Sequence, residues 1–286
     1  MRVLVVGSTG TIGHQLSVAL SQNGVEVLAT SRKTNLEKNL IQLDLADISG
    51  LVEVIKKQKV LDAAVLCAGV TNLRECERNP DVTSQINLKS QLTLAESLLN
   101  VGAKRVVCLS SNQVFDGETA NTNKFAKYAP KTEYGRQKAI AETELLKLGQ
   151  AVRVIRLTKV LSEDNSLLKD WVSKLKLGQE IKAFVDVMVS PVILDDTVRV
   201  ITEVIASENE SVTQFSATDE ISYFDMARFV AKFLQVDVGL VIAQNAEEVG
   251  EIPLVHASLE CSKFRSVIPS SSVVALRKVL EKMVSL

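Results

Sequence analysis

The chain has few of the residues that build metal centres and disulfide frameworks. Only two histidines, His14 and His256, occur in 286 residues, so a histidine-based metal site is not expected. The four cysteines form no Cys-x-x-Cys pair, and we interpret them as free thiols in a reducing cytosol. They are Cys67, Cys76, Cys108 and Cys261. The sequence therefore predicts no bound metal.

The chain also lacks a strong net charge and long apolar runs. Its net charge of −1 gives no electrostatic reason to expect nucleic acid or an anionic membrane as a partner. No apolar run approaches the ~18 residues that a membrane helix needs, and no signal-peptide pattern precedes the first apolar segment. We expect a cytoplasmic protein of one to two domains, because 286 residues with 46% hydrophobic content can bury a large core.

A glycine-rich turn stands at the start of the chain. The apolar run Val3–Val6 ends at Gly7, and an amphipathic helical pattern begins after Gly10. A strand, a glycine turn and a helix in this order are typical of a dinucleotide-binding βαβ unit. Gly7 would allow the tight turn, Gly10 the close approach of a diphosphate, and Gly13 the packing of the helix on the sheet. The candidate cofactor contacts of this stretch are Gly7, Thr9, Gly10, Thr11, Ile12 and Gly13.

Strand-like and helix-like segments alternate as far as Leu157. The predicted strands are Val3–Val6, Glu26–Ala29, Ile41–Leu43, Ala63–Leu66, Arg105–Leu109 and Val152–Leu157, and the predicted helices are Thr11–Asn23, Ile48–Lys57, Val82–Val101 and Thr132–Leu148. This alternation predicts a Rossmann-type α/β fold, a doubly wound parallel sheet with helices on both faces. We predict that residues 1–160 bind the dinucleotide and carry the catalytic residues. Residues 161–286 are predicted to form a smaller α/β substrate lobe, interleaved with the sheet rather than independent.

The end of the second predicted strand indicates which dinucleotide is bound. An acidic residue at this point binds the adenosine ribose in NAD-binding proteins, whereas this chain has Ser31, Arg32 and Lys33. A guanidinium can pair with a 2′-phosphate, so Ser31 and Arg32 favour NADP (NADPH) as the cofactor. The alternative is a solvated basic loop.

Further cofactor contacts are predicted after the third and fourth strands. Asp44 and Leu45 would edge the adenine ring, although Asp44 could equally cap a turn. The small residues that end the fourth strand would let the backbone approach the cofactor closely. They are Cys67, Ala68 and Gly69.

A tyrosine and a lysine one helical turn apart are the main catalytic candidates. Tyr134 and Lys138 would share one face of the predicted helix Thr132–Leu148. A nearby ammonium favours the phenolate, so Tyr134 could serve as a general acid or base. Ser111, at the end of the fifth strand, could hydrogen-bond a substrate carbonyl oxygen. The alternatives are a solvated helix face for the Tyr/Lys pair and turn capping for Ser110 and Ser111.

The glycine turn, the strand-end serine and the Tyr/Lys pair resemble those of the extended short-chain dehydrogenase/reductases. Within that family the likeness is strongest to the dTDP-4-dehydrorhamnose reductases and related sugar-nucleotide enzymes. The segment Ser110–Gly117 is similar to their Ser-Thr-Asp-Tyr-Val-Phe-Asp-Gly, and Tyr134–Lys138 followed by Glu142 to their Tyr-Gly-Arg-x-Lys helix. Other similar segments are Glu77–Pro80 through Ile86-Asn87, Ser190-Pro191 with Asp195-Asp196, and Ala257–Phe264.

The resemblance implies a role for each catalytic candidate. Ser111 would orient a keto oxygen, Tyr134 would protonate it, and Lys138 would lower the tyrosine pKa and bind the nicotinamide ribose. Hydride would pass from NADPH to the C4 keto carbon of a nucleotide-linked sugar, which is the implied partner; a homodimer is left open. Where the family has Asp-Tyr, this chain has Asn112-Gln113, which removes an acid and an aromatic residue near the substrate.

Two other functions stay open. An epimerase or dehydratase acting on a nucleotide sugar would retain NAD, and the lack of an acidic residue after the second strand argues against it. The changed Asn112-Gln113 pair keeps open a non-catalytic, NADP-binding regulatory subunit of this fold, like that of methionine adenosyltransferase.

Overall fold

The computed structural model describes residues 1–33, 40–57, 60–207, 210–252, 254–264 and 271–284. The chain forms two compact units, each assembled from several segments. The first contains Met1–Phe115, Lys127–Arg156 and Val198–Thr213, and the second contains Asp116–Ala126, Leu157–Thr197 and Gln214–Leu286. The predicted division at residue 160 and the substrate role of the later residues stay predictions.

Strands alternate with helices through the first half of the chain. The strands are β1 (Arg2–Val6), β2 (Glu26–Ser31), β3 (Ile41–Gln42), β4 (Ala63–Leu66), β5 (Val106–Ser111), β6 (Val152–Leu157), β7 (Val160–Leu161), β8 (Ile181–Phe184), β9 (Met188–Val189), β10 (Val192–Ile193), β11 (Val212–Phe215), β12 (Ile221–Ser222) and β13 (Val241–Gln244). The helices are α1 (Thr11–Gln22), α2 (Ile48–Lys56), α3 (Leu73–Arg78), α4 (Pro80–Ser84), α5 (Ser90–Asn100), α6 (Glu133–Lys147), α7 (Ser166–Lys176), α8 (Leu194–Ala206), α9 (Tyr223–Phe233) and α10 (Ser272–Val284). Within the described ranges, no helix is both long and apolar enough to cross a membrane.

A mostly parallel seven-stranded sheet confirms the predicted Rossmann-like α/β fold. Its described strands lie in the order β11-β6-β5-β4-β1-β2-β3. β1 pairs in parallel with β2 on one side and β4 on the other. The strand order therefore reverses around β1, and in open α/β sheets ligands bind outside the carboxyl ends of the strands at such a point.

The sheet is built from continuous apolar strands because helices cover both faces. Val3–Val6 of β1 are at most 1% exposed, and Ala63–Leu66 of β4 at most 2%. Side chains of α5, including Leu94 and Leu98, pack into the same core cluster as Leu4 of β1. Burial of these side chains anchors the strand ends that carry the candidate site residues.

Among its described residues, the second unit holds three short two-stranded sheets. β7 pairs with β10 and β8 with β13 in parallel, whereas β9 and β12 are antiparallel. Its core cluster includes Trp171, Met226 and Leu276, which are at most 3% exposed. Tyr223 meets the tryptophan ring edge-on, with 6.4 Å between centroids. The only tryptophan of the chain is therefore a core residue.

The structure differs from the prediction around residue 85. The helix expected over Val82–Val101 is divided, because a π-helical turn at Gln85–Lys89 separates α4 from α5. This turn places the Asn87 side chain in the interior, where it is fully buried. Periodicity at 3.6 residues per turn cannot detect a one-residue insertion of this kind. The short helix α3 (Leu73–Arg78) was not predicted at all.

Replacing Gly13 with alanine should destabilise the protein. A Cβ at Gly13 would lie 2.3 Å from the carbonyl oxygen of Gly7, so α1 would have to move away from the turn after β1. Overpacking of this kind costs about 1–3 kcal/mol. Urea unfolding of Gly13→Ala, followed by circular dichroism, should show a free energy of unfolding reduced by that amount.

Gly10→Ala is the matched control in the same turn. Its Cβ would meet nothing closer than Gly7 O at 3.5 Å, and its φ of −83° suits alanine. Its free energy of unfolding should stay within about 1 kcal/mol of the unaltered chain. Equal unfolding midpoints for the two variants would contradict the packing argument.

Candidate active site

The turn after β1 binds back onto the end of β2. Gly7 has a φ of +84°, and a Cβ there would lie 2.7 Å from the Cβ of Ala68, so no larger residue fits. Its N–H donates to Thr30 Oγ1 at 3.1 Å, and the Ser8 hydroxyl donates to the Thr30 carbonyl at 2.9 Å. These bonds hold the glycine turn at the carboxyl end of the sheet, beside Ser31.

The start of α1 is suited to an anion. Gly10 is the N-cap residue and makes no side-chain cap, and the first turn contains no acidic residue. By contrast, Thr132 caps α6 by accepting from a backbone N–H of its first turn. Thr9, Gly10 and Thr11 are exposed and Ile12 is half-buried. Because a helix start offers N–H groups and a partial positive charge, these residues fit the diphosphate of a dinucleotide.

The basic segment after β2 presents its charges to solvent. Ser31 is 8% exposed, and its hydroxyl oxygen accepts from the Lys33 N–H at 3.2 Å. Arg32 and Lys33 are exposed. Both cations are available to an anionic ligand, while the pairing of Arg32 with a 2′-phosphate stays a prediction.

Asp44 and Leu45 take different positions after β3. The exposed Asp44 accepts from the Ala46 N–H at 2.9 Å, so its carboxylate caps the turn, as the alternative predicted. Leu45 is 4% exposed, and its carbonyl accepts a hydrogen bond from the Ser90 hydroxyl. The Leu45 side chain therefore belongs to the core, and an adenine contact there would have to come from its backbone.

The residues after β4 lie beside the glycine turn. The N–H groups of Cys67 and Ala68 both donate to the Val6 carbonyl, at 3.0 and 3.1 Å. Burial, with a smaller contribution from the neighbouring Cys108 thiol, raises the pKa of the Cys67 thiol to about 12, so this thiol is neutral. Gly69 is exposed. The structure thus brings two of the predicted small residues within hydrogen-bonding distance of the end of β1.

The three catalytic candidates meet at the carboxyl end of β5. Ser111 ends β5 and is 9% exposed; Tyr134 and Lys138 lie on one face of α6 and are 7% and 8% exposed. Ser111 is close enough to Tyr134 for its hydroxyl to lower the pKa of the phenol. The Lys138 ammonium donates to the Leu109 carbonyl at 2.9 Å. A hydroxyl, a phenol and an ammonium therefore lie together.

Burial controls the protonation of this group. It raises the pKa of Tyr134, with smaller contributions from Cys76 and Glu142, and outweighs the contact with Ser111 that lowers this pKa. Lys138 was expected to lower the tyrosine pKa, but the shift has the opposite direction. Burial also lowers the pKa of Lys138. At neutral pH the phenol holds its proton and can donate it.

A buried polar cluster behind Lys138 was not predicted from the sequence. Glu142 and Arg156, each 2% exposed, form an ion pair with 2.7 Å between Oε2 and Nη2. Ser110 and Tyr128 both donate to the same carboxylate. The resemblance drew attention to Glu142 but gave it no role, and only the fold brings Arg156 of β6 to it.

Asn87, which ends the similar segment Glu77–Pro80 through Ile86-Asn87, has a structural role. Its Nδ2 donates to the Val70 carbonyl at 2.9 Å and to Gln137 Oε1 at 2.9 Å, and its Oδ1 accepts from the Val70 N–H at 2.8 Å. Asn87 therefore joins the loop after β4, next to Gly69, to the helix that carries Tyr134. The π-helical turn is what places it there.

The Asn112-Gln113 departure lies in the turn that follows β5. The Ser111 hydroxyl donates to Asn112 Oδ1 at 3.3 Å. The Thr132 hydroxyl donates to Gln113 Oε1 at 3.5 Å, and a Cβ on Gly135 would lie 2.1 Å from the Gln113 carbonyl. Asn112 and Gln113, which stand where the similar family has Asp-Tyr, therefore lie next to Ser111 and the first turn of α6.

Comparisons with known proteins support this reading of the fold. The model of the RmlD substrate binding domain family matches residues 1–277. The chain is 28% identical over 200 residues to a probable low-salt glycan biosynthesis reductase, Agl14, of Haloferax volcanii, covering 67% of this chain and 66% of that protein. It is also 28% identical over 166 residues to the methionine adenosyltransferase 2 subunit beta of Pongo abelii, covering 58% of this chain and about half (49%) of that protein.

A solved structure shows the same fold over the full length. The dTDP-4-dehydrorhamnose reductase of Bacillus anthracis, in complex with NADP, superposes with a TM-score of 0.86 at 21% identity, covering 98% of each chain. At this identity the likeness concerns the fold alone, whereas the family model covers nearly all of the sequence. The chain therefore belongs to the RmlD substrate binding domain family and has its Rossmann-like α/β fold.

Proposed function

We propose that the chain is an NADPH-dependent reductase of a 4-keto nucleotide sugar. The observation that carries the proposal is that Ser111, Tyr134 and Lys138 lie together, largely buried, at the carboxyl end of β5, where the Lys138 ammonium donates to the Leu109 carbonyl. Burial keeps the phenol protonated, as reduction of a carbonyl requires. Membership of the RmlD family and the likeness to a reductase acting in glycan biosynthesis support the substrate class.

The three side chains divide the work of carbonyl reduction. The dinucleotide supplies hydride when bound. Ser111 would donate a hydrogen bond to the keto oxygen and hold it beside Tyr134, whose phenol would give up its proton as negative charge develops on that oxygen. Lys138 would hold the ribose hydroxyls, and its ammonium would stabilise the phenolate that remains.

Two parts of the predicted cofactor site support NADPH as the hydride donor. The uncapped start of α1 fits the diphosphate, and the exposed guanidinium of Arg32 fits a 2′-phosphate better than a free hydroxyl. The structurally similar reductase of B. anthracis was solved with NADP. These points also support the assignment of the remaining predicted contacts to NADP.

A non-catalytic, NADP-binding subunit is the second candidate. The likeness to methionine adenosyltransferase 2 subunit beta supports it, as does the Asn112-Gln113 pair next to Ser111. The intact hydroxyl, phenol and ammonium favour the reductase, because they supply the proton donor that carbonyl reduction needs. The two candidates differ in turnover and not in cofactor binding.

Tyr134→Phe should abolish reduction and spare cofactor binding. Loss of a general acid costs about 10²–10⁴-fold in rate, while phenylalanine fills the same buried space. The decrease in absorbance at 340 nm should be followed with several 4-keto nucleotide sugars, and NADPH binding measured by fluorescence titration. The half-exposed tyrosine of the second unit provides the control variant, Tyr223→Phe, which should keep its rate.

An undiminished rate in Tyr134→Phe would contradict the assigned proton donor. No turnover by the unaltered chain with any keto sugar, together with tight NADPH binding and a copurifying enzyme, would favour the regulatory subunit. Copurified NAD with no net cofactor consumption would instead favour an epimerase or dehydratase.

Arg32→Ala should weaken the preference for NADPH over NADH. A charge-assisted hydrogen bond contributes about 1.5–3 kcal/mol, so the ratio of the two dissociation constants should change about 10- to 100-fold, with NADPH affected far more than NADH. Isothermal titration calorimetry with both cofactors measures this directly.

Lys104→Ala removes an exposed cation from the opposite end of the sheet and is the control. Lys104 precedes β5 and pairs with Asp62 at 2.6 Å, away from the carboxyl ends of the strands. Its cofactor preference should match that of the unaltered chain. Equal losses of NADPH and NADH affinity in Arg32→Ala would show that Arg32 does not contact the 2′-phosphate.

A further inference from the structure

The Glu142 carboxylate is bound by the side chains of Arg156, Tyr128 and Ser110 in the interior of the first unit. Arg156 Nε lies 2.9 Å and its Nη2 2.7 Å from Oε2, and the Tyr128 hydroxyl donates to the same oxygen at 2.8 Å. The Ser110 hydroxyl donates to Oε1. The guanidinium in turn lies 4.9 Å from the Phe115 ring centroid and 5.2 Å from that of the tyrosine. Glu142 and Arg156 are each 2% exposed, so the two side chains are held in a single arrangement.

The contacts of Glu142 continue a series that runs along one face of α6. Tyr134, Lys138 and Glu142 are spaced four residues apart and project to the same side of the helix. They bind the last three residues of β5: Ser111, the Leu109 carbonyl and the Ser110 hydroxyl, respectively. Since each bond joins the same helix to the same strand end, Glu142 fixes the position of α6 along β5.

A small cavity adjoins both Glu142 and the catalytic lysine. It measures about 10 Å³, roughly the space of one water molecule, and its lining includes Asn87, Ser110, Lys138 and Glu142. Arg156 does not line it. Glu142 is therefore the member of the ion pair that shares this cavity with Lys138.

We infer that Glu142, held by Arg156, is a positioning residue that supplies the carboxylate beside the Lys138 ammonium and sets α6 so that Tyr134 meets Ser111. The inference rests on the proposed function in that it gives Lys138 and Tyr134 their catalytic roles. Glu142 touches neither substrate nor cofactor in this scheme, and it acts through the lysine.

The charged and titratable groups around Lys138 determine the direction in which loss of Glu142 would shift the lysine pKa. Burial lowers the pKa of Lys138, and Cys108 of β5, Glu142 of α6 and Cys76 of α3 oppose this. Burial also raises the pKa of the Cys108 thiol to about 12, so this group is uncharged at neutral pH. Glu142 therefore supplies the negative charge near the ammonium. Removing it would also leave Arg156 as an uncompensated cation, which lowers the lysine pKa further.

Glu142→Gln tests the inference by direct titration of the lysine. Lysines labelled with ¹³Cε and ¹⁵Nζ are followed by NMR from pH 6 to 11, and Lys138→Arg identifies the resonance. In Glu142→Gln the Lys138 amine should titrate about one pH unit or more below its value in the unaltered chain. In Glu142→Asp, which keeps the carboxylate, the Lys138 amine should titrate close to its value in the unaltered chain.

Glu144→Gln is the matched control, because it removes a carboxylate from the same helix. Glu144 pairs with Lys147 at 2.7 Å and its side chain is 41% exposed. Its Lys138 titration should match that of the unaltered chain. If Glu142→Gln has a native circular dichroism spectrum and its Lys138 amine titrates at the same pH as in Glu144→Gln, the inference is overturned.

A second variant covers the case in which Glu142→Gln does not fold. Glu142→Gln with Arg156→Met removes both buried charges, and such neutral replacements of an ion pair are often tolerated. Because only the carboxylate faces the cavity, the Lys138 titration should still fall, by less than in the single variant. A titration unchanged from the unaltered chain would overturn the inference. The NMR titrations need no turnover, so they test the role of Glu142 independently of the proposed function. The absorbance assay tests the proposed function.

Discussion

Burial of polar groups between α6 and β5 is the constraint on which the candidate site depends. Hydrogen bonds and an ion pair removed from water have definite geometry, since any displacement leaves a buried charge or donor without a partner. The Lys138–Leu109 bond and the Glu142–Arg156 pair therefore place a helix on a strand end more exactly than apolar contacts would. The serine and the phenol that would handle a carbonyl are positioned by this arrangement.

The parallel sheet supplies the second condition. Strand ends at one edge of the sheet bring together segments far apart in the sequence, including the glycine turn after β1, the small residues after β4 and Ser111 after β5. The Thr30 contacts with Gly7 and Ser8 show how tightly neighbouring strand ends are joined. The predicted dinucleotide contacts and the candidate proton donor therefore lie along one edge of one sheet.

Burial also sets the chemistry of the proton donor. A phenol in water beside an ammonium would lose its proton more readily, and this was the expectation from the Tyr134 and Lys138 spacing. In the structure the two groups are 7% and 8% exposed, so desolvation disfavours both charged forms. The result suits reduction, in which the phenol must arrive protonated.

The sequence by itself determined the βαβ order, the fold class and the positions of Gly7, Ser111, Tyr134 and Lys138, because these depend on local periodicity and fixed spacing. It did not reveal the π-helical turn that buries Asn87, since one inserted residue leaves the apolar pattern nearly unchanged. Nor did it join Glu142 to Arg156, 14 residues away on a different element. Only the tertiary structure decided those contacts and the direction of the tyrosine pKa shift, because burial depends on what the rest of the chain packs around a residue.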